Sequence, residues 1–198
     1  MERIGTTSRE TSESNVAVEI HLDGTGKYDV STGNGMLDHM LSQLARHSLF
    51  DLTVKATGDT SAGWHHVVED TAIVLGWALR QAVGDGQSIH RMAHALVPLD
   101  EALALVAVDV SGRGYANIEL GESQGHSGDL DIGLVKHFLE SFALEARIAL
   151  HVRMLSGDEA HHRMEAVFKS LAKALRRAVE VDDRQTGAIP STKGTIGG

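Results

Sequence analysis

Apolar residues recur at two periods along this chain, and the two periods alternate in the same order twice. Val16, Val18, Ile20 and Leu22 alternate with polar neighbours, which predicts a half-buried strand. Asp23-Gly24-Thr25-Gly26 then predicts a turn into a further strand at Tyr28. Met36 to Leu49 carries Met36, Leu37, Met40, Leu41, Leu44 and Ala45 at helical spacing. Leu52, Val54 and Ala56 alternate as a strand. From His65 to Val83 the period is helical again, through Val68, Ala72, Leu75, Leu79 and Ala82. The second series opens with alternating Ala104, Val106, Val108 and Val110, and Ser111-Gly112-Arg113-Gly114 turns into Tyr115. Leu134 to Leu150 is predicted helical through Val135, Phe138, Leu139 and Phe142. His151 to Leu155 is predicted as a short strand, and His161 to Val181 as a helix through Met164, Val167, Phe168, Leu171, Leu175 and Val179.

The order strand, strand, helix, strand, helix therefore occurs twice. Such self-similarity predicts an α+β fold built by internal duplication of a strand-strand-helix-strand-helix half-domain. The expected division is a first half-domain at 1–96 and a second at 97–198, forming one compact duplicated unit. Pro98 is placed in the link between the halves. Pro190 lies beyond the last helix, in a tail read as turn and loop.

Composition narrows the function. Hydrophobic residues make up 42% of the 198 and aromatics only 4%, so the core is aliphatic. A net charge of −9 argues against nucleic acid or an anionic membrane as partner. The absence of cysteine excludes disulfides, thiolate metal sites and a cysteine nucleophile. No apolar run approaches a membrane span and the N-terminus has no signal-like apolar region, so a cytoplasmic protein is expected.

Histidine is the unusual component, with 12 copies. His-His-x-x-Glu occurs as His65, His66, Glu69 and again as His161, His162, Glu165. A lone histidine on a helical stretch precedes each, His39 and His137, at nearly matched distances. Residues three and four apart share a helix face, so each glutamate can join a histidine of its own motif at one ion. Adjacent histidines point about 100° apart and diverge. The spacing therefore predicts one histidine of each pair per ion, with two ions. Eight ligands over two ions give three imidazoles and one carboxylate each, with two open positions on an octahedral ion. A sulfur-free set of this kind suits manganese, iron, cobalt or nickel, and zinc at lower coordination. His21, His90, His94, His126 and His151 are read as surface or packing residues.

Arg91, Arg113, Lys169, Ser191 and Lys193 stand out among the basic and hydroxyl residues of an acidic chain as candidates for holding an anion such as phosphate. Asp100 and Glu101 are further carboxylates near the link.

Five segments together resemble the imidazoleglycerol-phosphate dehydratase family: Gly35-Met36-Leu37-Asp38-His39-Met40-Leu41, His65 to Thr71, Gly112-Arg113-Gly114-Tyr115, His161 to Lys169 and Pro190-Ser191-Thr192-Lys193-Gly194. The resemblance runs from about Arg9 to Ile196 and is to the single-function form. It implies a lyase of L-histidine biosynthesis. That enzyme dehydrates D-erythro-imidazole glycerol phosphate to imidazole acetol phosphate by an imidazolate and diazafulvene-type route. It further implies two sheets each backed by two helices in pseudo-symmetric packing, two Mn(II) per active site, and trimers assembled into a 24-subunit shell with sites at subunit interfaces. Carried onto this chain, its metal ligands are His39, His65, His66, Glu69, His137, His161, His162 and Glu165. Its substrate contacts are Glu13, Gln43, His47, Arg91, Arg113, Lys169, Ser191, Thr192 and Lys193, with Arg91, Arg113, Lys169, Ser191 and Lys193 on the phosphate and the tail as a phosphate-binding segment. Glu13, Glu69 and Glu165 are the candidates for proton transfer. The chain departs from the usual family pattern at Ser61-Ala62-Gly63-Trp64, Met36, Val67, Lys136 and Leu139, none of which removes a ligand. Two readings of other classes compete. One is a dimetal phosphoesterase, which would release free phosphate. The other is a non-catalytic, metal-stabilised shell protein.

Overall fold

A computed structural model describes residues 2–61, 63–121 and 125–196; Ala62, in one of the departures above, lies outside them. Strands β1 (Ile4–Glu10), β2 (Ser14–His21) and β3 (Tyr28–Ser31) precede helix α1 (Gly35–Ser48), strand β4 (Asp51–Gly58) and helix α2 (His65–Val83). The second half repeats them as β5 (Met92–Leu99), β6 (Ala102–Asp109), β7 (Tyr115–Glu119), a small hairpin of β8 (His126–Ser127) and β9 (Leu130–Asp131), then α3 (Ile132–Glu145), β10 (Ala149–Ser156) and α4 (Ala160–Val179). A 3-10 turn at Asp183–Gln185 leads into the tail.

The two large sheets have the same topology, β1-β2-β4-β3 and β5-β6-β10-β7. In each, the outer hairpin pairs antiparallel, and one helix crosses over to a parallel pair, β3 with β4 and β7 with β10. The expected α+β duplication is present, with one more strand ahead of each predicted series. Both added strands, β1 and β5, lie at sheet edges.

The helices lie against one face of each sheet and pack across the halves: α1 against α4, and α2 against α3. Val16, Val18, Ile20, Leu52 and Val54 from the first sheet and Ala104, Val106, Leu150 and Val152 from the second are buried beneath them. Phe138, Phe142 and Phe168 fill the space between α3 and α4. This cross-half pairing positions the site, because every helix-borne motif faces a helix from the other half.

Three boundaries differ from the sequence expectation. Pro98 is not in a link but inside β5, where it pairs with Leu103 on an edge strand that tolerates a missing N–H. The chain reverses just after it, at Asp100 and Glu101. Helix α3 ends at Glu145, not Leu150. Arg147 adopts a left-handed φ of 53°, and the Ile148 N–H bonds back to the Ala143 carbonyl, which closes the helix and releases Ala149 and Leu150 into β10. Helix α4 stops at Val179, two residues early, where Glu180 turns to an extended conformation.

Candidate metal centres and anion cleft

Helix α1 starts at Asn34, whose side chain accepts the Met36 and Leu37 N–H groups. Leu37, Met40, Leu41 and Leu44 then face the core, and His39 falls on the face turned to α4. Helix α4 opposes it with His161, Glu165 and Lys169, one turn apart each. Glu165 Oε2 receives His39 Nε2 at 2.9 Å and His161 Nε2 at 3.0 Å. Its other oxygen meets Lys169 Nζ at 2.6 Å. Burial alone would raise the Glu165 carboxyl. Hydrogen bonds from Lys169, His39 and His161 outweigh it and hold the group at about 2, ionised.

The pseudo-equivalent group lies between α2 and α3. His65 Nε2 is 3.6 Å from Glu69 Oε2, and His137 Nε2 is 3.4 Å from Glu69 Oε1. The two imidazoles stack with centroids 4.7 Å apart. His137 Nε2 is buried and makes no hydrogen bond that meets the usual geometry, its contact with Glu69 Oε1 being 3.4 Å long. Each group thus offers two imidazole nitrogens and one carboxylate oxygen within 4.8 Å of one another. That donor set could hold a divalent transition-metal ion, and His137 Nε2 is a buried atom that such an ion would satisfy.

Among the described residues of one chain each group has three donors, not four. His66 and His162 point away from both groups: the His66 ring stands edge-on to His65, and His162 edge-on to His161. His66 Nε2 is 3.7 Å from Glu13 Oε2. His162 Nδ1 is 2.8 Å from Glu101 Oε2, a bond that lowers the Glu101 carboxyl to about 2 and raises the His162 imidazole. Ser127, on the β8–β9 hairpin, brings its hydroxyl within 3.2 Å of His161 Nδ1. Ser127 is not singled out by spacing, and the sequence marks Glu101 only as a further carboxylate near the link, not as a partner of His162. A hydroxyl or carboxylate far off in sequence carries no periodic signal.

Gln43 and His47 continue the α1 face beyond His39, and their side chains are 3.0 Å apart. The His47 imidazole is lowered by burial, then by the Lys169 and Lys173 ammonium groups opposite. His39, Gln43 and His47 therefore line the same α1–α4 seam as His161, Glu165 and Lys169.

The anion candidates divide. Arg91, Arg113, Ser191, Thr192 and Lys193 line one cleft of about 700 Å³ between the β5 entry, the β6–β7 turn and the tail. Lys169 is not among its lining and is held by Glu165 instead. Arg91 adopts a left-handed φ of 71°, donates to both Asp109 oxygens at 2.7 and 3.2 Å and reaches the Pro190 carbonyl at 2.9 Å. It thereby fastens the tail to the second sheet. His90, read as a packing residue, also lines the cleft. Among the described residues no helix is long and apolar enough to cross a membrane.

Known proteins match this chain closely. A family model described as imidazoleglycerol-phosphate dehydratase matches residues 32–175. A curated relative of that name from Streptomyces coelicolor is 52% identical over 197 residues, covering 99% of this chain and 100% of its own. One from Kineococcus radiotolerans is 56% identical over 201 residues, with 99% and 100% covered. Among solved structures, the dehydratase from Pyrococcus furiosus superposes with a TM-score of 0.82 at 36% identity, over 96% of this chain and 100% of that one. The Staphylococcus aureus structure gives 0.78 at 33% identity, over 90% and 99%.

Proposed function

The chain belongs to the imidazoleglycerol-phosphate dehydratase family, hydro-lyases of histidine biosynthesis, and from that membership we propose that it converts D-erythro-imidazole glycerol phosphate to imidazole acetol phosphate with two Mn(II) ions per site. The observation that carries the reading is the pair of half-built nitrogen and carboxylate groups, His39–His161–Glu165 and His65–Glu69–His137, each drawn from both halves of the chain. The two remaining motif histidines, His66 and His162, face away from them. In this reading they are the fourth ligands, delivered to groups on neighbouring copies, which makes self-association part of the site. The trimers and 24-subunit shell of the family accord with that geometry. So does the apolar outer face of the second sheet, where Met92 and Leu96 are 62% and 54% exposed.

Ions held by His39, His161 and Glu165 and by His65, Glu69 and His137 would supply Lewis acidity toward the substrate ring. The side chains supply the rest. Lys169 keeps the Glu165 carboxylate ionised and aimed, with one oxygen left for His39, His161 and the ion. Gln43 and His47 extend the same seam to the body of the substrate. Arg113, Ser191, Thr192 and Lys193 hold the phosphate in the cleft, with the tail pinned by Arg91. Proton transfer at the carbon and oxygen centres falls to Glu13: it is exposed beside His66, whereas Glu69 and Glu165 are engaged as ligands.

The division of the chain into half-domains at 1–96 and 97–198 is likewise proposed as an evolutionary unit. The matching sheet orders support a duplication, with the junction moved a few residues earlier, ahead of β5, because Met92–Leu99 pairs within the second sheet.

The test is turnover of imidazole glycerol phosphate by chelated protein reconstituted with Mn(II). Substrate loss with formation of the keto product and no inorganic phosphate supports the dehydratase. Phosphate release would favour the phosphoesterase. Retained metal without turnover would favour a structural shell. His66→Ala and His162→Ala are each expected to remove one ion per chain, abolish activity and reduce particle mass. A fully active, metal-replete His162→Ala protein would sink the shared-ligand arrangement.

A further inference from the structure

The two His-His-x-x-Glu motifs are alike in sequence but not in what surrounds their second histidine. His162 has its ring held from behind. Its Nδ1 lies 2.8 Å from Glu101 Oε2, while Glu101 Oε1 accepts the Glu159 N–H at 3.1 Å. One carboxylate therefore bridges the first turn of α4 and the imidazole it carries. Glu101 is itself fixed at the tip of the β5–β6 hairpin: its carbonyl accepts the Ser156 hydroxyl at 2.9 Å, and neighbouring Asp100 turns the chain at a left-handed φ of 48°. The Glu159 side chain adds a bond to the His162 N–H at 2.8 Å, capping the helix at the same place.

Among the described residues none holds the His66 ring in this way. Helix α2 begins at Trp64 with no side-chain cap. The carboxylate near His66, Glu13, stands 3.7 Å from Nε2, on the ring nitrogen opposite to the one Glu101 holds in His162. The hairpin tips that carry Glu13 and Glu101 occupy equivalent places in the two sheets, so the difference is a departure from the pseudo-symmetry.

We infer that Glu101 is a positioning residue that fixes the ring orientation and tautomer of His162, presenting an unprotonated Nε2 to an ion, and that this makes the two metal positions unequal in affinity. The physical basis is general: a carboxylate accepting the far N–H of an imidazole locks the ring, raises its basicity and strengthens the bond from its other nitrogen, commonly by about 10–100-fold in metal affinity. The ion completed by His162 gains this support and the ion completed by His66 does not. The inference rests on the reading of His162 as a metal ligand.

The experiment is Mn(II) titration of the chelated, full-length protein by calorimetry, reading stoichiometry and affinity per chain, with metal-free thermal unfolding alongside. In Glu101→Ala, one of the two Mn(II) positions is expected to weaken about 10–100-fold while the other keeps wild-type affinity. Glu101→Met, which keeps the length of the stem, gives the same split where Ala loosens the hairpin. Glu101→Gln, whose amide oxygen still accepts the Nδ1 proton, recovers most of the lost affinity. Ser156→Ala, which removes one bond that fixes the hairpin tip but keeps the Glu101 carboxylate, weakens the same position less than Glu101→Ala does. Wild-type affinity at both positions in Glu101→Ala and Glu101→Met would overturn the inference, provided His162→Ala loses an ion. A Gln variant as weak as Ala would overturn ring orientation as the cause. Two intact positions in His162→Ala would instead overturn the ligand reading beneath it.

Discussion

Lys169 Nζ sits 2.6 Å from Glu165 Oε1, on a carboxylate whose other oxygen faces both His39 and His161. Both side chains are largely buried. The i,i+4 spacing on α4 makes the pair local, but its effect reaches α1 through His39. Lys169→Met leaves a buried carboxylate oxygen without a donor, which costs about 1–3 kcal/mol. Urea unfolding of the metal-free variant should show a loss of that size. A change within error would mean that water replaces the ammonium at no cost.

The same pair gives a pH dependence with a definite sign. Glu165 is held at about 2 in the folded protein against an ordinary value of 4.5. A depressed carboxyl adds stability that is fully present above the unfolded value and is lost as pH falls toward the folded one. Metal-free protein should therefore lose stability between about pH 4.5 and 2. Lys169→Met should narrow that loss, because its Glu165 is less depressed. An acid-unfolding curve with the same slope in variant and wild type would refute the assignment.

Metal removal should act on the whole fold. Each candidate centre joins helices of different halves, α1 to α4 and α2 to α3. An ion that binds only the folded protein adds about 2.7 kcal/mol at a hundredfold excess over its dissociation constant. Chelation should lower the thermal midpoint, and Mn(II) should restore it in a concentration-dependent way. His137→Ala, which removes a buried nitrogen that makes no hydrogen bond, should reduce the Mn(II)-dependent part more than it reduces metal-free stability. Equal responses to Mn(II) in variant and wild type would remove His137 from the ligand set.

In the anion cleft, Arg91 and Lys193 should separate kinetically. Lys193 lines the cleft and has no ion pair among the described residues, so Lys193→Ala loses a charge-assisted contact worth about 1.5–3 kcal/mol. The Michaelis constant should rise about tenfold or more, with metal content and melting unchanged. Arg91 also binds Asp109 and the Pro190 carbonyl. Arg91→Ala should therefore lower thermal stability as well as substrate affinity. Inorganic phosphate protecting Lys193→Ala as well as wild type against unfolding would argue against Lys193 as an anion contact.

The parts of the fold legible in sequence are those with an apolar stripe. The four helices and β2, β4 and β6 alternate or repeat strongly because one face of each is buried. Strand β1 was hidden because its inner face is Gly5, Thr7 and Arg9. Helix α2 passes so close that a Cβ at Gly5 would fall 2.0 Å from the Ala78 carbonyl oxygen, and the Thr7 hydroxyl bonds the Val74 carbonyl. Close approach of backbone to backbone demands small and polar residues, which remove the period. In the site, all six members of the two clusters were legible from motif spacing, since helical period sets which residues share a face. Their pairing across halves was not, because it depends on α1 meeting α4 and α2 meeting α3. The same limit explains Lys169, grouped by charge with the anion candidates but held on the metal seam by Glu165.

Gly76 shows how narrowly the second centre is set. It lies about two turns beyond Glu69 and three beyond His65 on α2, where α3 ends against it. A glycine inside an exposed helix normally costs about 1 kcal/mol relative to alanine, so Gly76→Ala judged on propensity alone is stabilising. The packing reverses the sign. A Cβ at Gly76 would lie 2.8 Å from the Ala146 nitrogen and 3.0 Å from the Phe142 carbonyl oxygen, both backbone atoms that cannot swing aside. The variant must push α3 away from α2, and His137 rides on α3 opposite His65 and Glu69. Gly76→Ala should therefore destabilise by about 1–3 kcal/mol, as overpacked cores do. It should also weaken Mn(II) at the His65–Glu69–His137 centre more than at His39–His161–Glu165, which α1 and α4 hold independently. Calorimetric Mn(II) titration beside thermal unfolding reads both effects. A variant more stable than wild type, or one that weakens the two centres equally, would show that the α2–α3 contact is not what sets the geometry of that centre.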